Sequence, residues 1–173
     1  GRMTEKLGLR TQAEWKARDA LLGLAYGFDT ISVAGLNDAG DGYYFSIWAN
    51  GGLTGRWPEM APKPAYAAIA TLTQVLDRAK FQRWVPTGST VFYAQEFKRD
   101  GEWVYAFWTP RGTRKATVEF PSDAKRRLMD LYGREQTVTG KTVDFTAGTG
   151  VSYLTSKDQL QSIHAGATAF PED

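Results

Sequence analysis

The chain has no cysteine and a single histidine, His164, among its 173 residues. The first absence excludes disulfides and thiolate metal sites, and the second excludes any metal site built on two histidines. No apolar run approaches the roughly 18 residues needed to span a bilayer, so no membrane partner is expected. An excess of one charge is also missing: 21 basic and 19 acidic residues leave a formal charge of +2. With the basic residues scattered, nucleic acid is not an expected partner. No signal-peptide pattern stands at the start. There is no P-loop, no GxGxxG and no Gly-x-Ser-x-Gly, so nucleotide and serine-hydrolase chemistry have no foothold and no cofactor is expected.

What is present is ample for a folded core: 42% of residues are hydrophobic and 13% aromatic. Thr11 and Glu14 have the spacing of a capping box. The helix they open carries Ala13, Ala17, Ala20, Leu21, Leu24 and Ala25 on one stripe. Gly27 suits the left-handed residue that ends such a helix. Residues 28–34 then read as a buried parallel strand. A glycine- and carboxylate-rich loop follows from Gly35 to Tyr44. Lys63-Pro64 marks the start of a second helix, because proline is favoured in a first turn. Its inward face is expected to hold Tyr66, Ile69, Ala70, Thr73 and Leu76.

From Phe81 onward the period changes to two. Candidate strands are 90–97, 102–109, 115–120, 127–132, 135–139, 142–146 and 151–155. Asp100-Gly101 is the strongest hairpin signal. Trp84, Trp103, Tyr105, Phe107 and Trp108 are read mainly as core. The fold class is therefore α+β, with domains at 1–79 and 80–173. The second is expected to be a small antiparallel β-sandwich.

The order of motifs in the first domain resembles the C-terminal end of clan A glycoside hydrolases, the (β/α)8 enzymes related to β-xylosidases and endo-glycanases. Asn37-Asp38, Gly52-Leu53 and Lys63-Pro64-Ala65-Tyr66 stand where that family has its acidic loop, its Gly-Leu turn and the start of its last helix. Thr4-Glu5 with Gly8 is similar to the pattern that closes the seventh strand, although the gap to the glycine is one residue longer. The resemblance implies the terminal βα part of a (β/α)8 barrel followed by a β-sandwich, in a bacterial enzyme, secreted or periplasmic. It also implies a carbohydrate substrate and a retaining mechanism with Glu5 as nucleophile. A full barrel needs about 200 residues or more, and the acid/base would come from a fourth strand not in this chain. The rest of the barrel is thus an expected partner, and the chain alone is expected to be inactive.

Asn37, Asp38 and Asp41 can bond sugar hydroxyls, and the same residues are also what turn chemistry prefers. Tyr43, Tyr44 and Trp48 offer flat rings on which a sugar face can stack, or they pack beneath the last helix. Glu5 is either the nucleophile or a solvated residue beside Lys6. His164 and the basic loop at 111–115 read as surface features. The rival to the enzyme reading is a non-catalytic β-sandwich that binds carbohydrate or acts as a scaffold.

Overall fold

The computed structural model describes residues 2–32, 35–38 and 51–169, with side chains from residue 8 onward. The chain divides into two compact units, Gly1–Leu72 and Thr73–Asp173.

In the first unit, α1 spans Arg2–Ala25 and breaks at Gly8, whose φ of 76° lies outside the helical range. The helix therefore does not start at the expected capping box. Glu14 accepts instead from Arg10 Nε at 3.0 Å, one helical turn earlier, so the box does not form. The expected stripe is correct at its centre: Ala13, Ala17, Ala20 and Leu21 are buried. At the C-terminus Gly27 adopts φ 80°. Its N–H donates to Leu24 O at 3.2 Å, and Phe28 N–H donates to Gly23 O at 3.0 Å. This is the paired closure of a Schellman motif.

That closure corrects the strand expected at 28–34. Residues 28–32 form no ladder, and 33–34 lie outside the described residues. Phe28 and Ile31 fold back over Gly23, where an added Cβ would lie 2.9 Å from Ile31 Cδ1. A parallel strand must pair its backbone with neighbours, and none is supplied among the described residues. The α2 helix, Pro64–Val75, opens on its proline as expected. Its inward face differs in part from the expected one. Ala65, Ala68, Leu72 and Val75 are buried, and so is Leu76, as expected. Tyr66 is 46% exposed, and Ala70 and Thr73 are exposed as well.

The second unit is a seven-stranded antiparallel sheet. Its strands are β1 (Lys80–Trp84), β2 (Tyr93–Arg99), β3 (Glu102–Trp108), β4 (Arg114–Met129), β5 (Glu135–Ala147), β6 (Ser152–Ser156) and β7 (Ser162–Ala165). The order is β1-β2-β3-β6-β4-β5, with β7 also on β4. Asp100 and Gly101 take φ 37° and 81°, as a tight hairpin turn requires. Two pairs of expected strands merge: 115–120 with 127–132 as β4, and 135–139 with 142–146 as β5. The β4–β5 register breaks between Glu119 and Ala124, beside Pro121, which withholds a ladder donor. The strand bends there but continues. Its first half pairs with β7 and its second with β6, so the sheet curls over one core. Tyr105, Phe107 and Leu154 meet Val118, Phe120, Val143 and Ile163 in that core.

Two phenols are enclosed in this unit. Tyr105 Oη accepts from Leu160 N–H at 2.7 Å, and burial, aided by nearby Glu96, pushes its pKa well above the ordinary value. Burial does the same to Tyr153, whose hydroxyl has no hydrogen-bond partner among the described residues. A phenol raised in the folded state keeps its proton there and loses it on unfolding once the pH passes about 10. The stability of this unit is thus complete below about pH 10 and falls as the pH rises further. Titration of phenolate absorbance should find at least two of the eight tyrosines silent until the sheet unfolds. Eight smoothly titrating tyrosines in a folded protein would contradict this enclosure.

Candidate functional site

The order of motifs in the first unit converges on one side chain, Asp38. Its carboxylate is buried, and Oδ1 accepts from Gly52 N–H at 3.0 Å and from Lys63 Nζ at 2.5 Å. Both charged side chains are less than a tenth exposed. A buried ion pair of this kind holds its place only where hydrogen bonds complete the carboxylate's shell. The Gly52 amide is one such donor.

The backbone around the pair explains how these residues meet. Asn37 and Thr54 form a parallel bridge, and Thr54 and Pro62 an antiparallel one. Leu53 N–H and Thr54 N–H both donate to Leu36 O at 2.9 Å, and Lys63 N–H donates to Leu53 O at 2.9 Å. Gly52 is required by contact: a Cβ there would lie 2.3 Å from Asn37 C. From α1, Gln12 Nε2 reaches Gly52 O at 3.3 Å. Nearby, burial lowers the pKa of Lys16, and the charge of Lys63 pushes it the same way. The structure thus ties three loop segments and a helix into a single latch.

The expected site residues fall into three groups. Asn37 and Asp38 come together with Gly52, Leu53 and Lys63. Asn37 is exposed and donates through Nδ2 to Asp38 O at 3.1 Å, while Asp38 is turned into the latch. Asp41, Tyr43, Tyr44 and Trp48 lie outside the described residues. Glu5 lies in α1, before the break at Gly8, so Thr4-Glu5 does not end a strand in this chain. Gln12 had no sequence signal as a partner of the Gly-Leu turn, because 40 residues separate them.

In the second unit the aromatic residues split between core and surface. Tyr105 and Phe107 are fully buried and Trp108 nearly so, but Trp84 on the edge strand is 37% exposed. Trp84 stands edge-on to Tyr93 and to Trp108, each 6.1 Å away, and Tyr93 stacks on Trp108 at 5.2 Å. Beside them, the loop joining β1 and β2 lines an open cleft of about 400 Å³.

Two solved structures are similar to this chain. One is a GH30 endoxylanase from Clostridium papyrosolvens C71, with 11% identity over 61% of this chain and a TM-score of 0.47. The other is Xyn30A, a glycoside hydrolase family 30 subfamily 8 xylanase from Clostridium acetobutylicum, with 5% identity over 61% and a TM-score of 0.46. The chain covers 30% of the length of each. No protein-family model and no curated protein matches it.

Proposed function

We propose that this chain is the C-terminal portion of a glycoside hydrolase that cleaves polysaccharide or oligosaccharide with retention of configuration. The observation that carries this reading is the apolar surface of the first unit. Tyr26, Phe28, Leu36 and Trp57 are each more than half exposed. Large apolar side chains open to water gain from a partner that covers them. Tyr26, Phe28 and Leu36 lie in or beside the segment 28–34 that the sequence casts as a parallel strand, of which the described residues 28–32 form no ladder. Upstream barrel strands, from the same polypeptide or another, supply both the backbone partners and the apolar cover. The latch at Asp38 then serves to hold the loop between the eighth strand and the closing helix.

In this reading Glu5 is the nucleophile. Its carboxylate attacks the anomeric carbon while an acid from the fourth strand protonates the departing oxygen. Water then releases the sugar from Glu5, with the former acid acting as base. The two carboxyl groups must lie about 5–5.5 Å apart, so Glu5 acts only when the barrel is complete. Asn37, Asp41, Tyr43, Tyr44 and Trp48 would line the substrate cleft, and the curled sheet would be the accessory β-sandwich.

The test is hydrolysis of xylan, mixed-linkage glucan and their oligosaccharides by the chain alone and by a protein carrying the upstream sequence. The extended protein should release reducing sugar and the chain alone should not. Glu5→Gln in the extended protein should lower kcat by a factor of about a thousand or more, since the covalent step is lost. Full activity in Glu5→Gln would remove Glu5 from the mechanism. An upstream sequence unable to form barrel strands would remove the reading itself.

The partly exposed Trp84 and its adjoining cleft favour a second reading, in which the sheet unit binds carbohydrate without cleaving it.

A further inference from the structure

We infer that the cleft between Trp84 and the 85–92 loop is a binding site for an uncharged sugar chain. This deepens the second reading and rests on it, but owes nothing to Glu5 or to a barrel. The loop is braced by its own hydrogen bonds. Thr87 Oγ1 donates to Phe92 O at 2.8 Å, and Ser89 N–H donates back to Thr87 Oγ1 at 3.3 Å. Val85 N–H continues the ladder to Ala94 O at 2.9 Å. Phe92 is buried in the core and anchors the far side. The cleft is therefore shaped before any ligand arrives, which lowers the ordering cost of binding.

Its lining sets the chemistry. Trp84 and Tyr93 supply aromatic surface, Pro86 and Val85 apolar floor, and Thr87, Ser89 and Thr90 hydroxyl groups. No charged side chain is among the lining residues. An anion, a cation or a charged peptide would find no counter-charge there. A lipid chain would bury against apolar surface the Thr90 hydroxyl and the remaining donor of Ser89 Oγ, which within the loop accepts from Val91 N–H at 3.3 Å. A pyranose ring satisfies both halves: one face of C–H groups for the indole and a rim of hydroxyls for Ser89 and Thr90. The volume of about 400 Å³ lies in the usual range of small-ligand sites. Trp84 is held edge-on by Tyr93 and Trp108, so its exposed surface is presented in a fixed orientation.

Isothermal titration of the full chain with xylohexaose and with cellohexaose tests the site, alongside three variants. Trp84→Ala should weaken binding tenfold or more. Thr90→Arg keeps the platform but blocks the cleft at an exposed position, and should weaken binding similarly. Trp57→Ala, in the first unit, should bind as the wild type does. Circular dichroism must show each variant folded, and Thr90→Arg serves if Trp84→Ala is not. Binding that survives both cleft variants would overturn this site while leaving glycan binding by the chain intact. Binding of neither oligosaccharide by the wild type would overturn the site and the second reading together. Loss confined to Trp57→Ala would place binding in the first unit and also overturn the inference.

Discussion

Lys63→Met should loosen the first unit by about 3–5 kcal/mol, the usual cost of removing one partner from a buried ion pair. Asp38 would then remain buried with Gly52 N–H as its only described donor. Asp38→Asn is the sharper variant, because its side-chain oxygen keeps the bond to Gly52 while the charge is lost. It removes the carboxylate that faces the Lys63 ammonium, itself less than a tenth exposed. The double variant should cost clearly less than the two singles added together, since neither charge is left stranded. Hydrogen exchange of the amides of Leu53, Thr54 and Lys63 reports on the unit directly, which matters where two units unfold separately. Protection unchanged in both single variants would show that the pair holds nothing.

The second large effect belongs to Arg126, whose side chain is wholly enclosed. Its guanidinium donates to Ser156 Oγ at 3.1 Å, to Ala124 O at 3.0 Å and to Gly140 O at 2.6 Å. It also donates to Ser122 O at 3.0 Å and to Asp158 Oδ2 at 3.1 Å, and it lies over the Phe120 ring at 3.9 Å. These contacts span the bend in β4 where its ladder with β5 is interrupted. One planar cation replaces the missing strand pairing. Arg126→Met should cost about 3–5 kcal/mol, since the carbonyls and the Asp158 carboxylate lose their donor. Arg126→Lys should recover only part, having three donors on a point charge rather than a five-donor fork. A urea midpoint for the methionine variant within error of the wild type would refute this role. Arg126 drew no notice in the sequence, where it is one of three basic residues in a row.

Local signals carried a good deal of the fold. Gly27, Pro64 and Asp100-Gly101 act within a few residues of themselves, and each ends or starts the element expected of it. Ala116, Val118 and Phe120 alternate within the expected strand 115–120 and all three are buried, because strand periodicity depends on adjacent residues alone. β1 and β7 were missed for the converse reason. β1 lies at the sheet edge with four of its five residues exposed, and β7 has only four residues. Neither alternates clearly, and both exist because a partner strand is waiting.

The candidate site divides along the same line. The amino-acid order made Asn37-Asp38, Gly52-Leu53 and Lys63-Pro64 recognisable as a set. It could not show that Asp38 turns inward to Lys63, 25 positions away, because a loop carboxylate serves solvent or a sugar equally well. The sidedness of α2, the joining of two strand pairs through a bend and the exposure of Trp84 beside buried Trp108 were likewise settled by packing. Chain-local geometry follows from the residues next to one another. Which of several permitted faces is buried depends on what else in space needs covering, and that is fixed only when the whole chain closes.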